Sequence, residues 1–147
     1  MVSSKDLRAQ VDELRRGGRS FLKDQTQELK YGMRILNVSD ANTETCEDFC
    51  MFKSGDTDIL GIMFHGTRKD CIDSICRHGI HTGSFTSSFQ VAANRSAFQD
   101  DCRDSGNEVK VLAVAVLVQE ASELESRDKN LRSPHYSLPL FVVTVQT

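Results

Sequence analysis

Leu7, Val11 and Leu14 recur at helical intervals among charged residues, which predicts a helix from Ser4 to Arg16 that breaks at Gly17-Gly18. A second polar helical stretch is expected from Arg19 to about Lys30, with Phe21, Leu22 and Leu29 as its few apolar contacts. Residues 1–32 thus read as an amphipathic helical lead-in whose stripe either packs on the domain behind it or takes a protein partner. The spacing then changes. Met33 to Val38 alternates as a strand, Asp40 to Thr43 is turn chemistry, and Glu44 to Lys53 reads as a short helix with Phe49 and Phe52 as core candidates. Ser54-Gly55-Asp56 turns the chain into a second strand, Ile59 to Phe64, which ends by presenting His65.

Thr67 is placed to cap the helix that follows, with Asp70 three residues on in a capping-box-like arrangement. Cys71, Ile72, Ile75 and Cys76 form the buried stripe of that helix, and Gly79 ends it. Ile80 to Ser88 is a loop of small and polar residues, and a further helix runs from about Gln90 to Asp101. Val109 to Val118 is β-branched and apolar on both faces, which suits a central strand of a sheet covered on two sides. Ala121 to Pro134 is charged and reads as loop or irregular helix, and Leu138 to Val145 is another buried strand. Residues 33–147 therefore form one mixed α/β or α+β domain.

With 147 residues and 39% hydrophobic composition, the chain can bury one modest core. Its net charge of −3, with both signs interspersed, shows no basic face for a phosphate backbone, so nucleic-acid binding is unsupported. The longest apolar run, Val111 to Val118, is too short for a membrane helix, and no membrane association is expected. Five cysteines and a start without an apolar signal core point to reduced thiols in cytosol or nucleus, either as a whole protein or as a piece of a longer one. Cys71, Cys76, His78 and His81, or Cys46 with Cys50, match no standard zinc spacing, and no metal is expected.

Phe64-His65-Gly66-Thr67, with Ile72, Ile75 and Gly79 behind it, carries the candidate chemistry. It stands in order with Ile35-Leu36-Asn37-Val38, Phe49 to Lys53, Ser88-Phe89, Ala93 to Ala97, Val111 to Val118 and Pro139 to Val143. From residue 33 to 145 this series resembles the catalytic domain of the poly-ADP-ribose polymerase family, the diphtheria-toxin-like ADP-ribosyltransferases. The resemblance implies an α+β fold of two packed mixed or antiparallel sheets with flanking helices. It also implies cleavage of the nicotinamide–ribose bond of NAD, with transfer of ADP-ribose to a protein or nucleic-acid acceptor.

On that resemblance His65 holds a ribose hydroxyl and positions NAD. Gly66 binds the nicotinamide carboxamide through its backbone with help from the Ser96 hydroxyl, and Thr67 and Ser88 complete the cofactor-binding set. Ser88 falls at the family's tyrosine, so Phe85, Phe89 or Phe98 must supply any stacking ring. Leu140 falls at the family's glutamate and can neither accept a hydrogen bond nor stabilise a cation. Polymer formation is therefore not expected. Two readings remain: mono-ADP-ribosyl transfer at most, or an inactive ADP-ribosyltransferase fold used as an NAD-binding or protein-interaction module.

Overall fold

The computed structural model describes residues 4–26, 29–30, 32–41, 49, 59–78, 84–100, 107–129 and 137–147. The run of small and β-branched apolar residues from Glu108 to Val118 forms an inner strand, buried at every position from Val111 onward. Only a strand covered on both faces tolerates so continuous an apolar sequence. With strands numbered along the chain as β1 (Arg34–Asp40), β2 (Ile59–Gly66), β3 (Glu108–Val118) and β4 (Ser137–Gln146), the sheet order is β1-β4-β3-β2. Every pairing is antiparallel. The α+β expectation holds: among the described residues one four-stranded antiparallel sheet carries three helices, α1 (Ser4–Thr26), α2 (Ile72–His78) and α3 (Phe89–Gln99).

Two cores follow from the alternation of side chains across the sheet. On one face Leu7, Val11 and Leu22 of α1 and Phe89, Ala92 and Ala93 of α3 pack with Phe64, Val111, Ala113, Leu140 and Phe141. On the other, Ile72 and Cys76 of α2 and Phe85 pack with Met63, Leu112, Val114 and Val116. Phe49 joins the first core, while the rest of the helix expected from Glu44 to Lys53, including Phe52, lies outside the described residues, as does Gly79.

α1 runs unbroken through Gly17-Gly18, where the sequence predicts a break. Two glycines inside a helix cost on the order of 1 kcal/mol each relative to alanine, but Gly18 lies against the Phe141 ring, where a Cβ would overlap it. The glycine lets the helix approach the sheet closely enough to bury Leu7, Val11 and Leu22, and that burial outweighs the propensity cost.

The helix start after β2 also differs. Thr67 does not cap it: the chain leaves β2 extended, Arg68 is the N-cap without a side-chain bond, and a single 3-10 turn, Lys69–Cys71, leads into α2. Ser88, by contrast, caps α3, its hydroxyl accepting from the Val91 amide at 3.3 Å. The charged stretch expected as loop or irregular helix contains a 3-10 helix, Ala121–Glu125, closed by a reciprocal capping box between Glu120 and Glu123.

Candidate functional site

β2 is an edge strand, and its last two residues, His65 and Gly66, emerge where α3 crosses the end of the sheet. Gly66 is needed here for closeness rather than for a left-handed turn. Among the described glycines only Gly32 has a positive φ, whereas a Cβ on Gly66 would overlap the Ala92 carbonyl oxygen of α3 and crowd the Arg95 Cβ. Its role is to permit close helix–strand contact.

Ser96 fixes that contact from the helix side. Fully buried, its hydroxyl donates to the Lys110 carbonyl at 2.7 Å and accepts from the Thr67 amide at 3.1 Å. One serine thereby ties α3 to β3 and to the chain leaving β2. Lys69 is held nearby, its amide donating to the Asp100 carboxylate at the end of α3 at 3.1 Å.

A cleft of about 500 Å³ opens beside this junction, lined by His65, Gly66 and Ser84 on one side and by Val91, Asn94, Arg95, Phe98 and Gln99 of α3 on the other. His65 Nδ1 lies 3.0 Å from the Ser84 carbonyl oxygen. A carbonyl only accepts, so Nδ1 carries the proton and Nε2 is left with its lone pair. Burial lowers the imidazole pKa below its usual value, the Ser84 hydrogen bond opposes the shift, and the Arg95 charge adds to it. The ring is therefore a neutral hydrogen-bond acceptor near pH 7. Phe85 packs against it, ring centroids 5.5 Å apart.

Arg95 brings a guanidinium to the cleft. It donates to the Ser84 hydroxyl at 3.1 Å and to the Arg127 carbonyl at 3.2 Å, with the Asp128 carboxylate 3.9 Å away. Phe98, 83% exposed, stands at the mouth. The described lining contains no carboxylate. The arrangement offers an acceptor, a cation, two side-chain amides and an aromatic face, which suits a ligand that combines hydroxyls, a planar ring and negative charge.

Of the residues singled out in the sequence, His65 and Gly66 line the cleft, and Phe98 is the candidate ring that faces it. Thr67, Ser88 and Ser96 do not. Thr67 and Ser96 are bonded to each other, and Ser88 serves as the helix cap. Phe89 is buried edge-on against Phe64, centroids 5.3 Å apart. Leu140 is fully buried in the α1-side core, whereas His65 rests on Phe85 of the opposite core. The two do not meet. A carboxylate in the Leu140 position would be buried among hydrocarbon, so leucine suits the fold there.

Arg95, Asn94, Ser84, Val91 and Gln99 are the lining residues that the sequence reading missed. A helical-wheel signal was available, since positions 91, 94, 95 and 98 share one face of α3. Cys76 and Cys71 lie away from this cleft, and burial followed by the Asp73 charge pushes the Cys76 thiol pKa up, leaving it a packed, unreactive group. Among the described residues no helix is long and apolar enough to cross a membrane.

No protein-family model matches this chain, and no curated protein matches it.

Proposed function

We propose that this chain is a divergent member of the poly-ADP-ribose polymerase family, with an ADP-ribosyltransferase-like fold, whose cleft beside His65 binds NAD. The observation that carries the reading is the imidazole: its Nδ1 proton committed to Ser84 leaves Nε2 as an acceptor for a ribose hydroxyl. The Gly66 backbone lies beside it, as the F-H-G-T motif implies, and Phe98 provides a ring at the mouth for a planar base. Arg95 supplies the cation that a pyrophosphate requires.

Transfer, where it occurs, stops at a single ADP-ribose, because the described lining of the cleft offers no carboxylate to orient an incoming ribose. A specific observation favours the second reading, that of an inactive binding module. Cleavage of the nicotinamide bond develops positive charge on the sugar, and a cleft with an arginine and no carboxylate among its described lining residues does nothing to stabilise that charge. An NAD-binding module that retains the fold without the chemistry accounts for this.

Calorimetry with NAD, paired with transfer of label from radioactive NAD, tests both readings. Binding that His65→Ala abolishes is expected. Label on the protein or an added acceptor assigns mono-transfer, its absence assigns the binding module, and no heat at millimolar NAD rejects NAD as the ligand.

A further inference from the structure

Among the described residues the outer edge of β2 is only partly covered. The Phe64 amide donates to the Thr86 carbonyl at 2.8 Å and the Thr86 amide returns the bond at 2.9 Å. In an antiparallel ladder the outward groups recur every second residue, so the amides and carbonyls of Ile62 and Leu60 point the same way. Neither has a backbone partner on that side among the described residues.

Alongside this open edge runs a groove of about 430 Å³, lined by Glu13, Leu14, Gly17, Gly18 and Phe21 of α1, by Ile62, and by Leu124 of the 3-10 helix. Its apolar wall is partly uncovered: Phe21 is 37% exposed. Phe21 is held in place by stacking on Phe64, centroids 6.2 Å apart and planes within 9°. Strand groups without a backbone partner among the described residues, flanked by apolar surface above and below, form the receiving half of a β-strand addition.

Charge decides what is received. Glu13 stands at the rim, and Asp24, eleven residues further along α1, falls on the same side of the helix. Glu120 and Glu125 are exposed on either side of Leu124, while Glu123 is already matched by Lys129. A second copy pairing edge to edge would bring these acidic rims together in a chain whose net charge is already −3. A basic segment meets no such penalty.

From these features we infer that the β2 edge is a docking site for an extended protein segment with alternating apolar side chains and basic flanks, which adds as a strand against Leu60 and Ile62. The segment's outward-turned residues on one side meet Phe21 and Leu14, and those on the other meet Leu124. This inference is independent of the ligand taken by the His65 cleft.

The test uses a fluorescent peptide of alternating valine and threonine capped by lysines at both ends, with anisotropy as readout. Saturable binding is expected, and Ile62→Pro weakens it about tenfold, equivalent to one lost edge hydrogen bond and its neighbours. Proline at this position removes an outward donor and leaves the β2–β3 ladder, which uses the alternate residues, intact. Glu13→Lys, an exposed helix substitution that keeps the test open should the proline variant misfold, weakens binding about threefold, and the loss shrinks at high salt. A glutamate-capped peptide that binds as well overturns the inference, as does absence of saturable binding up to millimolar peptide. Sedimentation as a dimer that Ile62→Pro disperses also overturns it and gives the edge to a second copy.

Discussion

Because the Ser84 carbonyl only accepts, protonating His65 places a second hydrogen on a ring already buried and already facing a guanidinium. The folded protein therefore binds that proton less readily than the unfolded chain, whose histidine titrates near its usual 6.5. The associated stability is fully present above pH 6.5 and falls as pH drops from there through the lowered folded value. Urea midpoints between pH 8 and pH 5 should show this decline, and His65→Gln should flatten it. Ser96 makes a different claim at the same scale. Its hydroxyl satisfies both the Lys110 carbonyl and the Thr67 amide, so Ser96→Ala leaves a buried acceptor and an amide unpaired, at a cost of about 1–3 kcal/mol in urea unfolding. A serine whose work is to bind ligand would show instead in NAD affinity with the unfolding midpoint unmoved. Gly66→Ala should cost a similar ~1–3 kcal/mol, since the Ala92 carbonyl oxygen it would strike belongs to a helix backbone that yields only by moving α3.

The paired glycines of α1 separate propensity from packing at the level of the element. Gly17 has open space where a Cβ would stand, so Gly17→Ala should stabilise the protein by about 0.5–1 kcal/mol. Gly18→Ala should destabilise it, because the new methyl meets the fully buried Phe141 ring; thermal melting of the two variants checks the opposite signs. This pair also explains the break that the sequence predicts at Gly17-Gly18. Two glycines lower local propensity, and nothing local reveals that one of them faces an aromatic ring more than a hundred residues away. The strands were more legible than the helix starts, because period-two alternation and an unbroken β-branched run are set by the sheet itself. Thr67 carried a capping signature, yet its backbone amide was taken up by Ser96, a tertiary contact that displaced the local one. The same held for the site: His65 and Gly66 were readable as a motif, whereas Arg95 and Ser84 entered only when α3 and the loop before it came together on the edge strand.

For the molecule as a whole, the consequential question is whether residues 1–32 are a lead-in or part of the core. Leu7, Val11 and Leu22 are each buried to within 1% exposure and share one apolar cluster with strand residues Phe64, Ala113 and Phe141. On the opposite face of the sheet, α2 is short and contributes Ile72 and Cys76, so α1 is the largest helical cover the described sheet has. Arg19 strengthens the seam, its guanidinium 5.7 Å from the Phe141 ring centroid and donating to the Val38 carbonyl at 2.8 Å. Truncating one contact, Leu22→Ala, should cost about 2–5 kcal/mol and lower the urea midpoint of a protein that still unfolds cooperatively. Removing residues 1–28 takes away all three leucine and valine anchors together with Gly18 and Phe21, and the loss, about 2–5 kcal/mol for each anchor, is comparable to the ~5–15 kcal/mol that holds a domain of this size folded. The shortened chain should then lack a cooperative transition by calorimetry. A sharp transition in it would restore the lead-in as a separable element and leave Phe64 and Phe141 facing solvent, where a partner, rather than α1, must cover them.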